Sequence, residues 1–382
     1  MKKIILFILI ISICIIPKCV FAEEDIIPNA TSGLLMEEST GKIIYEKDKD
    51  KQLAVASMTK MVAQIIILES IESGKIKWND IVTVSKNASD MGGSQIYLSE
   101  NEKMSVKDIF KGVSMASAND GTVALAEYIA GSEEKFVKLM NKKVQELGLK
   151  NTSFKNCTGL DEEGHFSSSY DMALIARELL QHKDILKFSS VYEDYLRENT
   201  PNKFWLVNTN KLVRLYQGAD GLKTGHTDNA GYCIAATAKK NNMRLIAIVL
   251  GEKDAKTRNS ETTNLLDYGF NTKKVQQIKK NTDIVGKIKI EKGNVDTVNV
   301  YPKYDINILK DKGVDDKKYK LITKINDIKL PIKSESVVGK VKVINKNEVL
   351  YEGDLIIKDN ITKLNFFEIL INNYKNIAIG KI

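Results

Sequence analysis

Hydrophobic positions fall into three regimes along the chain. Over residues 33–47, Gly-Leu-Leu-Met-Glu-Glu-Ser-Thr-Gly-Lys-Ile-Ile-Tyr-Glu-Lys predicts two strands joined at Ser39-Thr40-Gly41. From Ser57 to about Ser73, Met61, Val62, Ile65, Ile66, Leu68 and Ile71 leave little of the circumference polar, which predicts a central buried helix. Residues 105–182 read mainly as helices, including Asn119 to Ala130 and Ser169 to Gln181, joined by glycine-bearing loops. Residues 219–226, 230–238 and 243–250 read as successive strands, and a further helix is expected from about Lys256 to Tyr268. The runs Ile-Ala-Ala-Thr-Ala and Leu-Ile-Ala-Ile-Val-Leu are too apolar for a sheet with one wet face, so helices must cover it.

The pattern changes near residue 271. Lys287-Ile-Lys-Ile290, Val298-Asn-Val-Tyr301, Tyr304-Asp-Ile-Asn-Ile308, Tyr319-Lys-Leu-Ile322 and Val341-Lys-Val343 alternate and are punctuated by Gly, Asn and Asp. They predict a small antiparallel β domain over 271–362, in which no chemical motif is found. Over 363–382 the spacing turns helical again. Phe366, Phe367, Leu370, Ile371, Tyr374, Ile377 and Ala378 recur on one side, with Asn365, Glu368, Asn372 and Lys375 on the other. No apolar run there is long enough to span a bilayer, so the segment is expected to lie in the membrane interface.

The N-terminus carries an address. Lys2 and Lys3 precede an apolar stretch from Ile4 to Ile16 broken only by Ser12, and Val20-Phe21-Ala22 is a small-residue cleavage pattern. Residues 1–22 therefore read as a secretory signal, leaving 23–270 for the first folded domain. Composition then excludes whole classes. With 43% hydrophobic and 28% charged residues and only 5 Pro, the chain is neither collagen-like nor broadly disordered. After cleavage 54 basic residues face 49 acidic ones, without the basic and aromatic clustering of a nucleic-acid groove, so no nucleic-acid partner is expected. Three His and four Cys, none in a CxxC pair, leave too few soft ligands for a zinc site, and no metal or cofactor is expected. Cys157 and Cys233, which survive cleavage, read as two buried free thiols.

Three short segments carry candidate chemistry. In Ser57-Met58-Thr59-Lys60 the hydroxyl opens the buried helix and the amine follows one turn later on the same face. A serine hydroxyl needs a base, and lysine, with a free pKa of about 10.4, serves only when its ammonium is destabilised. Burial and the positive end of a helix both act in that direction, and the Ser57 N–H points outward as an oxyanion donor must. Ser117-Ala118-Asn119 lies in a small-residue stretch before a helix, where an N-cap is the plain reading. As chemistry, it offers a hydroxyl to relay a proton and an amide to hold a peptide backbone. Lys223-Thr224-Gly225 falls on a strand between glycines. Lys223 and Thr224 suit a carboxylate, Gly225 would let a substrate backbone approach, and Lys223 could be the cation that depresses Lys60. Each segment alone is weak. Ser39-Thr40-Gly41-Lys42 and Ser85-Lys86-Asn87 repeat two of the patterns in places that suit a turn and a cap.

Together, in this order and 60 and then 106 residues apart, the three match the set shared by penicillin-binding proteins and class A β-lactamases. The chain resembles the low-molecular-mass penicillin-binding proteins, specifically serine-type D-alanyl-D-alanine carboxypeptidases. The resemblance is carried by Ala56-Ser-Met-Thr-Lys60, Asp220-Gly-Leu-Lys-Thr-Gly-His-Thr227, Gly159-Leu-Asp161 and Tyr170-Asp-Met-Ala173. It implies an α+β transpeptidase-like fold, an antiparallel sheet covered by helices beside an all-helical part. It implies Ser57 as acylated nucleophile, Lys60 as its base and Ser117 as proton carrier to the leaving amine. Asn119 would hold the substrate backbone, Lys223 and Thr224 the terminal carboxylate with help from Arg258, and the N–H groups of Ser57 and His226 the oxyanion. The implied substrate is a peptidoglycan stem pentapeptide, with β-lactams as inhibitors and the outer face of the cytoplasmic membrane as the place of work. One departure is Cys157, where relatives usually carry Pro, which bears on loop shape.

Three other readings remain open from the residues. A class A β-lactamase needs a Glu-x-x-Leu-Asn loop, and Asp161-Glu-Glu-Gly-His-Phe-Ser167 lacks it. A DD-endopeptidase would attack the same carbonyl with a different leaving group. A non-catalytic wall-binding module would not require Ser57, Lys60, Ser117 and Lys223.

Overall fold

Strands β1 (Ser32–Glu37) and β2 (Ile43–Lys47) form one edge of a five-stranded antiparallel sheet. It is completed by β3 (Ala219–Thr227), β4 (Gly231–Lys240) and β5 (Met243–Glu252) in the order β2-β1-β5-β4-β3. The computed structural model describes residues 25–314, 318–346 and 348–378, so the signal segment 1–22 lies outside the described residues. The Ser39–Lys42 repeat is a turn, with the Ser39 and Thr40 hydroxyls donating to the Glu37 carboxylate.

Both faces of the sheet are dry, as the apolar runs require. Along β5, Leu245, Ala247 and Val249 point to one side with Leu265, Leu266 and Phe270. Ile246, Ile248 and Leu250 point to the other with Met58, Met61 and Phe110. The first side is covered by helix Ala255–Thr272, longer than the expected 256–268 and capped by Asp254, which accepts from Thr257 N. The second side is an all-helical layer: α1 (Lys60–Glu72), α2 (Val106–Ala116), α3 (Asn119–Ala130), α4 (Glu133–Glu146) and α5 (Ser169–Leu179). Helix α1 is buried on nearly every side, from Met61 through Leu68. A run of eight consecutive buried residues has no amphipathic stripe, which fits a helix surrounded by others.

Two details differ from the sequence reading. Residues 148–168 are irregular rather than helical, apart from bridges at Ser153 and Ser167. Two short hairpins, 81–83 with 103–105 and 193–196 with 204–207, were not expected, their strands being only three or four residues long. Cys157 and Cys233 are buried free thiols.

The chain beyond Thr272 builds a separate core of Val298, Val300, Ile306, Ile308, Val341, Val343, Leu355 and Ile357. Five strands pair in the order 286–289, 297–302, 348–356, 337–345 and 320–325, and 273–279 pairs with 306–311. The strand at 273–279 escaped the sequence reading because none of its positions is fully buried and it carries Lys and Gln, and that at 348–356 because only Leu355 and Ile356 at its end are buried while Glu and Gly interrupt the rest. A cavity of about 980 Å³ separates the two units, lined by Arg177 and Glu178 on one side and Tyr351 and Asp354 on the other. Helix Phe366–Ala378 ends the described chain, with Asn365 and Glu368 exchanging side chain-to-backbone hydrogen bonds as a capping box.

Candidate active site

Ser57 sits on a single 3-10 turn, Ala56–Thr59, placed ahead of α1 rather than in its first α turn. Ala56 has φ +47, a left-handed conformation that is costly for a residue with a Cβ. The turn aims Ser57 back at the helix. Lys60 Nζ donates to Ser57 Oγ at 2.8 Å and to the Thr158 carbonyl at 2.7 Å. Lys60 is fully buried, and that burial brings its pKa down to about 7, against the opposing pull of Cys157 and Asp120. The buried lysine on the face of Ser57 that the Ser-x-x-Lys spacing predicts is therefore in place.

Lys223 is also buried, and its pKa is held well below the ordinary value by burial and by the charges of Lys60 and Arg258. The sequence suggested that Lys223 depresses Lys60. Burial is the leading cause for both lysines, and the repulsion between the two ammoniums acts in the same direction. Gly225, expected to give a substrate backbone room, is also crowded by the chain itself. A Cβ there would lie 2.7 Å from the Val55 carbonyl and 3.2 Å from Ser57 N, so this glycine lets β3 pack against the chain's own Ser57 turn. Thr224 Oγ1 donates to Thr209 Oγ1 at 2.8 Å, and Thr209 N donates to Met115 O, two residues before Ser117. His226 is exposed and its ring stacks on Tyr232 at 4.0 Å between centroids. Arg258 is 5% exposed, so it is not the solvated helix arginine that a surface position would give. Its guanidinium rests on Asn259 Oδ1 and faces Lys223.

Ser117 is not an N-cap. It closes α2 in a left-handed conformation, φ +64, and Ala118 precedes α3. Its Oγ is buried without a hydrogen-bond partner among the described residues, as is Asn119 Oδ1. Buried polar atoms left unpaired cost roughly 1–3 kcal/mol each, so two side by side mark a surface built to receive polar groups. Asn119 Nδ2 donates to Gly92 O, and Asp120 accepts from Ile96 N and Leu98 N. The start of α3 thereby fixes the loop at 92–98 that rims the site. The second Ser-x-Asn repeat does differently: Ser85 caps a one-turn helix and donates to Glu127.

The wall opposite, residues 156–165, entered the sequence reading through Cys157, Gly159-Leu-Asp161 and the missing β-lactamase pattern at 161–167, with no role given to Thr158 or His165. Asn156 Oδ1 accepts from Gly159 N, and Thr227 Oγ1 donates to Asp161. His165 Nδ1 accepts from Lys155 N, so its Nε2 carries the proton donated to Thr59 Oγ1 at 2.8 Å. Burial lowers the His165 pKa to about 4 and keeps the ring neutral. Cys157 N donates to Glu133, a bond that a proline at that position could not make. Nothing in the Thr158 or His165 pattern marks these residues in sequence, because they act through backbone and packing.

A half-buried serine bonded to a fully buried lysine, between an all-helical layer and an antiparallel sheet, fits a serine acyl-transfer enzyme of the penicillin-binding type. Residues 20–254 match the D-alanyl-D-alanine carboxypeptidase family, Peptidase S11, and residues 270–363 match the penicillin-binding protein 5 C-terminal domain. The chain is 47% identical over 357 residues to D-alanyl-D-alanine carboxypeptidase DacF of Bacillus subtilis, covering 92% of each. Among solved structures it resembles penicillin-binding protein 5 of Haemophilus influenzae, with TM-score 0.72, 31% identity and coverage of 88% of this chain and 98% of that one. It also resembles penicillin-binding protein D2 of Listeria monocytogenes in an ampicillin-bound form, with TM-score 0.57, 30% identity and coverage of 63% and 97%. The chain belongs to the S11 D-alanyl-D-alanine carboxypeptidases and is a serine DD-carboxypeptidase.

Proposed function

We propose that Ser57 attacks the carbonyl between the last two D-Ala residues of a peptidoglycan stem pentapeptide. Neutral Lys60 takes the Ser57 proton. The bond to the terminal D-Ala breaks as Ser117 passes a proton to its amine, and water then hydrolyses the acyl-enzyme. Asn119 holds the substrate backbone, and the N–H groups of Ser57 and His226 receive the oxyanion. Lys223, Thr224 and Arg258 take the terminal carboxylate, whose negative charge relieves the repulsion between the buried cations. The observation that carries this reading is the 2.8 Å contact from a fully buried Lys60 to Ser57 Oγ. β-Lactams would enter by the same attack and leave slowly, since the 161–167 segment, although it holds Glu162 and Glu163, lacks the Glu-x-x-Leu-Asn pattern of a β-lactamase.

Labelling with a fluorescent penicillin tests it. The mature protein should take up one label per chain and hold it, Ser57→Ala should take none, and mass spectrometry of digested muropeptides should show pentapeptides shortened by one residue. Rapid release of hydrolysed penicillin, or labelling that survives Ser57→Ala, would overturn the assignment.

The same reading places the enzyme outside the cell, with the β unit as spacer and the terminal helix as tether. Phe366, Phe367, Leu370, Ile371 and Tyr374 are 55–78% exposed on that helix. Among the described residues no helix is long and apolar enough to cross a membrane. An interfacial helix of this kind holds by burying its apolar side chains, helped by attraction of basic residues to anionic lipid. Deleting 363–382 is expected to move the protein from the membrane pellet to the soluble fraction with penicillin labelling intact. Retention in the pellet would count against the tether.

A further inference from the structure

At the opposite end of α1 from Ser57, roughly 14–18 Å along the helix axis, lies a cluster that the carboxypeptidase chemistry does not use. Glu69 and Glu72 stand on the last turn of α1, Glu178 on the last turn of α5, and His182 just beyond it. Ligand atoms of Glu69, Glu178 and His182 lie within 4.8 Å of one another. His182 is 7% exposed, and its Nδ1 is held by Glu72 at 2.9 Å. Its Nε2 is buried with no hydrogen-bond partner among the described residues. With Nδ1–H donated to a carboxylate, Nε2 carries a free lone pair, and a carboxylate behind an imidazole is the usual orientation of a metal-bound histidine.

Three further observations favour a cation. Both helices present their C-termini, and so their negative dipole ends, to this point. Of the three carboxylates, only Glu69 is paired with an ammonium among the described residues, Lys143 at 2.7 Å, which is shared with Glu146 at 2.8 Å. Glu178 also lines the 980 Å³ cavity between the two units, which gives an ion a way in.

We propose that Glu69, Glu178 and His182 form a structural site for a divalent transition ion of the zinc class, with Glu72 orienting the histidine. One nitrogen with two carboxylate oxygens suits Zn²⁺ or Mn²⁺ better than Ca²⁺ or Mg²⁺. Ligand atoms on a tetrahedral ion at about 2.1 Å are about 3.4 Å apart, so binding needs a contraction of roughly an ångström among side chains. Lys143 would withdraw to Glu146. The ion would pin the ends of α1 and α5, and the fourth position would hold water from the cavity. This fold offers a zinc-class site without cysteine, which the count of soft ligands in the sequence did not suggest.

The test is a calorimetric titration of Zn²⁺ into the chelator-treated mature protein, with Co²⁺ absorption as a second readout. Saturation at one ion per chain and visible Co²⁺ bands are expected. His182→Gln and Glu178→Gln should each weaken binding roughly 10–100-fold, and Lys143→Ala should strengthen it by freeing Glu69. Unchanged penicillin labelling will show that each variant is folded. Absence of saturable binding, or native affinity in both ligand variants, would overturn the site and would leave the carboxypeptidase assignment untouched.

Discussion

Replacing Lys60 with alanine is expected to slow acylation of Ser57 by penicillin roughly 10²–10⁴-fold, with the fold retained. The loss is large because nothing else among the described residues donates to or accepts from Ser57 Oγ. The pH profile carries the sharper signature. With the Lys60 pKa at about 7, the fraction of neutral amine falls about tenfold for each pH unit below that value. The second-order acylation rate of the native enzyme should therefore climb from pH 5 to 7 and level off above, as measured by fluorescent-penicillin uptake across buffers. A rate flat through this range would remove Lys60 as the base. Stability moves in the same direction. Between about 7 and the ordinary 10.5 the unfolded chain holds a proton that the folded Lys60 lacks, so this group makes folding more favourable as pH rises through that window.

Gly159→Ala is expected to be the most damaging small substitution away from the reacting atoms. Gly159 has φ +86, and a Cβ there would lie 1.9 Å from the Ala56 carbonyl. The left-handed backbone alone costs a residue with a Cβ about 1 kcal/mol, and relieving the clash brings the total to roughly 2–4 kcal/mol. The segment would have to retreat, carrying the Thr158 carbonyl away from Lys60 Nζ. Urea melting should show the loss of stability, and penicillin labelling should slow even where the variant is fully folded. Native-like values of both would show that the 156–165 wall does not position Lys60.

Much of the fold and of the site is legible in the order of the residues alone. The helix from Asn119 to Ala130 matches the sequence reading at both ends, and β3, β4 and β5 differ from it by no more than two residues at either end. Their signals are local: a small polar start, continuous apolar runs and glycine at the turns. The buried helix is legible because Met61 to Leu68 leaves no polar face. The candidate segment at Ser57 and Lys60 is legible because a hydroxyl and an amine one helical turn apart share a face. Residues that act through position rather than chemistry are hidden. Thr158 contributes a carbonyl that any residue owns, and His165 contributes an orientation to Thr59. Gly225 stands out in the sequence but reads there as room for substrate, since sequence cannot say which backbone passes beside it. The strand at 273–279 is hidden because Lys, Gln and Val at half-buried positions carry little alternation.

Cys157 and Cys233 lie in the core as separate thiols, so no covalent staple joins the described residues. The chain can reach its final shape without an oxidising catalyst, and its melting temperature should be indifferent to added reductant. Each thiol is also closed to oxidants while the core stays shut, and Cys157, whose charge would bear on Lys60, is exposed to alkylation only through unfolding.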